Sequence, residues 1–146
     1  MSLDDLIKGG NIVRQDTARS EIQELLRVAA RSIHDANIPG LSPEGRFALA
    51  YDAALELATV PLRCSGYRTR GEGHHWAVFS VLAELMGEDS EELVDYLQTC
   101  RSKRSMAIYH RASVVSKAEA DELCKEAERL DIQVRKWLKA NFPHYS

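Results

Sequence analysis

The stretch Ser42-Pro43-Glu44-Gly45-Arg46-Phe47-Ala48-Leu49-Ala50-Tyr51-Asp52-Ala53-Ala54-Leu55-Glu56-Leu57-Ala58 decides the fold. The Ser42 side chain can satisfy free N–H groups at a helix start. Pro43 suits a first turn where no donor is needed, and Glu44 faces the positive helix end. Beyond this start Phe47, Ala50, Tyr51, Ala54, Leu55 and Ala58, continued by Leu62, recur at three- and four-residue steps. Those steps line up one apolar face along a long helix. Pro61 interrupts the pattern. A proline inside a helix costs about 3 kcal/mol, so a kink or an irregular last turn is expected there.

Working outward, four more helical segments emerge. Upstream, from about Asp16 to Ala36, Ile22, Leu25, Leu26, Ala29, Ala30 and Ile33 share one stripe, ended by Asn37-Ile38-Pro39-Gly40. Residues 1–15, with Gly9-Gly10, read as a short helix or arm followed by a hinge. Downstream, Gly66 to Gly73 reads as a turn, and a third helix spans about His74 to Met86 with Trp76, Val78, Phe79, Leu82 and Leu85 inward. Ser90-Glu91-Glu92 starts a fourth, lined by Leu93, Val94, Leu97, Cys100, Ala107 and Ile108. The last begins at Ser116, whose spacing to Glu119 matches a capping box, and runs through Leu123, Ala127, Leu130, Val134 and Leu138 to a stop near Pro143. No strand pattern, repeat or low-complexity tract is visible. Long helices with short joints pack as antiparallel neighbours, so the expectation is an all-α, up-and-down four- to five-helix bundle forming one domain over 1–146.

Composition agrees with a globular domain: 146 residues, 45% hydrophobic and 28% charged. No stretch approaches the roughly 20 apolar residues that cross a bilayer. Met1-Ser2-Leu3-Asp4-Asp5 lacks the apolar centre of a secretory signal. Cys64, Cys100 and Cys124 are odd in number, far apart and form no CxxC pair, which argues against a disulfide framework or a cysteine zinc site. A cytoplasmic protein without membrane contact is expected. The net charge of -3 excludes bulk attraction to nucleic acid. The charge is unevenly spread, however. Acids concentrate in 84–95 and 119–131, whereas 98–111 holds Arg101, Lys103, Arg104 and Arg111 with no acid. An anionic partner must be met locally.

The motifs of many enzymes are missing, including a P-loop, a dinucleotide glycine fingerprint, HExxH and GxSxG. The basic run Arg101-Ser102-Lys103-Arg104-Ser105-Met106-Ala107-Ile108-Tyr109-His110-Arg111 is the strongest remaining feature. Here the chain resembles a HEPN domain, a helical bundle found in toxin nucleases and in partners of nucleotidyltransferases. Nuclease members of that family carry an arginine, commonly followed by a polar residue, and a histidine four to six residues on; Arg104, Ser105 and His110 fit this outline. Gly66-Tyr67-Arg68 followed by Gly73-His74-His75 is similar to a turn in one bacterial group of the family, in which Tyr109 matches a tyrosine that ends the basic run. Lys117-Ala118-Glu119-Ala120-Asp121-Glu122-Leu123 is similar to the closing helix.

The resemblance implies RNA or nucleotide-phosphate binding and, in the nuclease form, metal-independent endoribonuclease activity of toxin type with no cofactor. His110 would exchange a proton with the ribose 2′-oxygen or the leaving oxygen, and Arg104 would hold the phosphate. At 100° per residue positions 104 and 110 lie about 120° apart on a helix. Joining them takes a distorted helix or a second subunit, and the family's nucleases build their site across a two-fold interface, which implies a homodimer.

A second basic set, Arg63, Arg68, Arg70, His74 and His75, is interleaved with Tyr67 and Trp76 and suits phosphate gripping and base stacking. As metal ligands His74 and His75 are poor, since neighbours on a helix point about 100° apart and no third ligand is near. The phosphate-binding set is therefore Arg68, Arg70, His74, His75, Arg101, Lys103 and Tyr109, beside the catalytic pair Arg104 and His110. Two other readings stay open. One is a non-catalytic helical dimer that docks a nucleotidyltransferase-type antitoxin. The other is a structural dimer whose basic helix end merely complements the helix dipole.

Overall fold

The computed structural model describes residues 2–87, 90–110 and 114–146, with the backbone alone at 107–110. The chain is mostly helical and forms a helical bundle. Its described α-helices are α1 (Leu3–Lys8), α2 (Arg19–Ala36), α3 (Pro43–Cys64), α4 (His74–Met86), α5 (Glu91–His110) and α6 (Lys117–Asn141), and a 3₁₀ turn follows at Pro143–Tyr145. Among the described residues no helix is long and apolar enough to cross a membrane.

The other long helices pack on α3. Its start follows the sequence: Ser42 Oγ accepts from the Gly45 N–H at 3.0 Å, with Pro43 and Glu44 in the first turn. Of the expected stripe Phe47, Ala50, Tyr51, Ala54, Ala58 and Leu62 are buried and Leu55 is partly so; Ala53, Leu57 and Val60 are buried in addition, because α2, α4, α5 and α6 all contact this helix. A helix covered on several sides is apolar around most of its girth. By contrast α2 buries the single stripe Ile22, Leu26, Ala29 and Ala36, and Ala30 is exposed. Pro61 does not end α3, which stays helical to Cys64. The Ser65 N–H and hydroxyl both donate to the Pro61 carbonyl, at 3.1 and 2.8 Å, and close the last turn. The capping box of Ser116 and Glu119 opens α6. All three cysteines are buried free thiols.

A small sheet departs from the sequence expectation. Strands β1 (Ile12–Arg14) and β2 (Tyr67–Thr69) pair antiparallel, with Ile12 opposite Thr69 and Arg14 opposite Tyr67. Three residues are too few for an alternating pattern to register, and the partners lie far apart in sequence. The Arg14 guanidinium stacks over the Tyr67 ring at 5.2 Å, and Gly66 (φ +90°) gives it room. Through this sheet and through α1, the N-terminal segment adds Leu6 and Ile12 to the core.

The sheet is tied to the bundle by Arg63, which is only 6% exposed. Its Nε donates to Glu21 of α2 at 2.6 Å, Nη1 to the Tyr67 carbonyl at 3.2 Å and Nη2 to the Asp16 carbonyl at 3.3 Å. The bond from Arg63 holds the Glu21 carboxyl below its ordinary range. Arg63→Ala strands these acceptors and is expected to lower stability by about 1–3 kcal/mol. Among the described residues Arg129→Ala breaks only the exposed pair with Glu126 on α6, and it should cost less than about 0.5 kcal/mol. Urea unfolding of the two variants checks the contrast.

Candidate functional site

The turn before α4 ends at Gly73, whose φ of +73° places it in the left-handed region that glycine adopts without strain. The chain then enters α4 with His74, His75 and Trp76 in the first turn, and with neither an acid nor a side-chain cap there. The first-turn N–H groups of a helix have no internal partners and carry partial positive charge. Opposite them α5 presents Arg101 and Arg104, one turn apart and so on the same side. Between the two helices, floored by Tyr51 of α3, lies a cavity of about 400 Å³ lined by Tyr51, Gly73, His74, His75, Trp76, Arg101, Arg104 and Ser105.

Specific contacts hold the side chains of Tyr51, His74, His75, Arg101 and Arg104. The Tyr51 hydroxyl and His75 Nδ1 are hydrogen-bonded at 3.1 Å, and the Tyr51 ring packs edge-on against Phe79. Arg104 lies over the Tyr51 ring with Cζ 5.1 Å from its centre, and Nη2 reaches Asp52 at 3.3 Å. Arg101 Nε donates to Gln98 Oε1 at 3.1 Å, and the Gln98 amide donates in turn to the Trp76 carbonyl and the Ser80 hydroxyl. Gln98 thereby fixes Arg101 relative to α4. Arg101 has no acidic partner among the described residues. The rings of His74 and His75 meet edge-to-face, 4.5 Å between centres.

The electrostatics favour an incoming anion. Burial pushes the Tyr51 phenol up to about 12, which leaves it protonated at neutral pH. Burial, with the nearby His74, Arg104 and Arg101, holds His75 below its ordinary value. Asp52 is raised by burial, and the Arg104 contact only partly offsets this. The ion pair is therefore weak, as its 3.3 Å length and half-exposed carboxylate suggest. Glu56, one turn on along α3, is raised by burial and by the charge of Asp52. Among the described residues Arg104 Nε is buried with no hydrogen-bond partner. A guanidinium with five donors, one weak acid and one unsatisfied nitrogen has capacity left for a better acceptor.

Of the residues selected from the sequence, this arrangement brings together His74, His75, Arg101 and Arg104. Lys103 lies elsewhere: it contacts Glu119 and donates to the Val114 carbonyl at 3.0 Å, beside a smaller cavity of about 210 Å³. Arg68, on the exposed side of β2, donates to Gln15 at 3.1 Å, and Arg70 is exposed just beyond the strand; neither lines the cavity. The side chains of Tyr109 and His110, and all of Arg111, lie outside the described residues. The α5 backbone stays helical through His110, so positions 104 and 110 remain about 120° apart around its axis. Helical periodicity assigns Tyr51 and Trp76 to the core and does not single out Asp52 or Gln98. A signal does exist for Tyr51: a phenol on a buried face needs a polar partner. Among the described residues no three His, Cys, Asp or Glu side chains are grouped as a metal site requires.

No family model, no curated protein and no solved structure matches this chain.

The His75 environment makes a pH prediction. Its folded-state value lies below the 6.5 of the unfolded chain, so as pH falls through 6.5 the unfolded state takes up the proton first and stability declines. Asp52 and Glu56 act oppositely, stabilising below their ordinary values of 3.8 and 4.5 and losing that contribution as pH rises through their elevated ones. Thermal melts from about pH 7.5 down to about pH 5.5 should therefore show a decline in the wild type that is shallower in His75→Gln. Parallel curves would contradict the assignment.

Proposed function

We propose that the chain is a HEPN-like helical module of the cytoplasm whose cavity between α3, α4 and α5 receives a phosphate group of RNA or of a nucleotide. One observation carries this reading: Arg101 and Arg104 meet the acid-free start of α4 in a single cavity, in a molecule whose net charge is -3. Guanidinium groups bind phosphate through paired, charge-assisted hydrogen bonds, and free N–H groups at a helix start reinforce them. Trp76 offers a face on which a base can stack, worth about 1–3 kcal/mol. A volume of about 400 Å³ suits one nucleotide unit and not a duplex.

A metal-independent ribonuclease is the second reading, favoured by the two imidazoles that stand beside these guanidinium groups. In the form that the family resemblance implies, Arg104 holds the phosphate and His110 carries a proton. Their angular separation then calls for a second copy of the chain. Met106, 49% exposed on the same stretch of α5, gives a homodimer or a nucleotidyltransferase-type antitoxin an apolar point of contact.

Fluorescence anisotropy with a labelled single-stranded RNA at low salt tests the binding. Arg101→Glu should weaken affinity at least about tenfold and flatten the log–log salt dependence by about 0.7 for each phosphate it ceases to neutralise. Arg129→Glu, on a distant face of α6, should change affinity less than about twofold, since a distant exposed charge contributes little. Absence of wild-type binding, or equally weakened binding by both variants, would sink the proposal.

A further inference from the structure

We infer that His75 is the proton acceptor of this cavity and that Tyr51 is the residue that positions it, so that RNA bound there is cleaved by attack of its own 2′-hydroxyl. This deepens the phosphate-binding reading and rests on it.

The geometry is specific. Among the described residues His75 is the one imidazole of the cavity with a held ring nitrogen: Nδ1 is bonded to the Tyr51 hydroxyl at 3.1 Å. In the tautomer whose Nδ1–H donates to the phenol oxygen, Nε2 keeps its lone pair, as a general base requires. Nε2 has no partner among the described residues, and the His75 ring lines the cavity. Tyr51 is itself pinned between Phe79 and the Arg104 guanidinium, at ring distances of 5.9 and 5.1 Å. One side chain therefore orients both the base and a phosphate-binding cation. Tyr51 from α3, His74 from α4, and Arg101 and Arg104 from α5 face His75, and burial together with the three basic neighbours keeps it neutral. A base must be unprotonated to act.

The step balances without metal or cofactor. The ribose O2′–H proton passes to His75 Nε2 as O2′ bonds to phosphorus. The P–O5′ bond breaks, and the 5′-oxygen takes a proton from water that the open cavity admits. The hydroxide so formed removes the proton from His75. The products are a 2′,3′-cyclic phosphate and a 5′-hydroxyl, while Arg101 and Arg104 hold the phosphoryl oxygens as their charge grows.

Two oligonucleotides of one sequence test this in EDTA: RNA, and its all-2′-deoxy analogue, which binds but lacks the nucleophile. The wild type should bind both and release a 2′,3′-cyclic phosphate end from the RNA, read by mass spectrometry. His75→Gln should still bind the deoxy analogue, held by Arg101 and Arg104, and cleave at least about 10²-fold more slowly. Tyr51→Phe, which keeps the ring beneath Arg104, should bind it too and move the acidic limb of the rate–pH profile to lower pH. If the wild type binds the deoxy analogue yet leaves RNA intact, or His75→Gln cleaves within threefold of wild type while His110→Gln does not, the inference is overturned and phosphate binding stands. An unmoved pH profile in Tyr51→Phe removes the positioning role. Failure of the wild type to bind the deoxy analogue refutes the phosphate-binding reading itself.

Discussion

The burial of α3 on most of its circumference is the constraint from which the rest follows. Ala50, Ala53, Ala54 and Ala58 keep its surface narrow, so neighbouring helices approach closely, while Phe47, Leu57 and Leu62 fill the space between them. Each fully buried leucine or phenylalanine stabilises the fold by about 1.5–3 kcal/mol. Removing α3 from water on several sides also drives polar groups along it toward partners at the helix edge. Arg63 finds Glu21 and two carbonyls, Tyr51 finds His75, and Asp52 finds Arg104. The polar features of the molecule are therefore arranged around an apolar axis.

These edge contacts are unequal. Arg63 bonds a carboxylate and two carbonyls and behaves as a structural clamp. Arg46 is similar, bound to Asp121 at 2.5 Å and to the Ala36 carbonyl at 3.1 Å. Among the described residues Arg104, by contrast, has one weak carboxylate contact, an aromatic face and an unsatisfied Nε, and Arg101 has only an amide. A fully paired guanidinium gains little from a new anion, because it must first give up equivalent bonds; an underpaired one gains nearly the whole interaction. That difference, more than the number of arginines, separates the cavity from the other basic positions.

Helices, caps and most of the core were legible because they depend on neighbours within four residues. The Ser42 cap, the Ser116–Glu119 box and the apolar stripe of α2 are of this kind. The strands were not legible, since Ile12 and Thr69 are joined only by the fold. Part of the basic set falls outside the cavity for a similar reason. Lys103 and Arg104 are adjacent in sequence, yet helical rotation carries Lys103 to Glu119 and leaves Arg104 above Tyr51.

The sequence by itself determined the helical class, the capped starts of α3 and α6 and the segments in which positive charge outruns negative, since local periodicity and capping chemistry suffice for these. Only the tertiary structure decided which charges share a space. It set the first turn of α4 against the middle of α5, turned Arg63 inward and left Arg68 and Arg70 on the outside. The reason is physical: charge proximity depends on how helices pack across the bundle, and packing joins residues whose separation along the chain carries no trace of it.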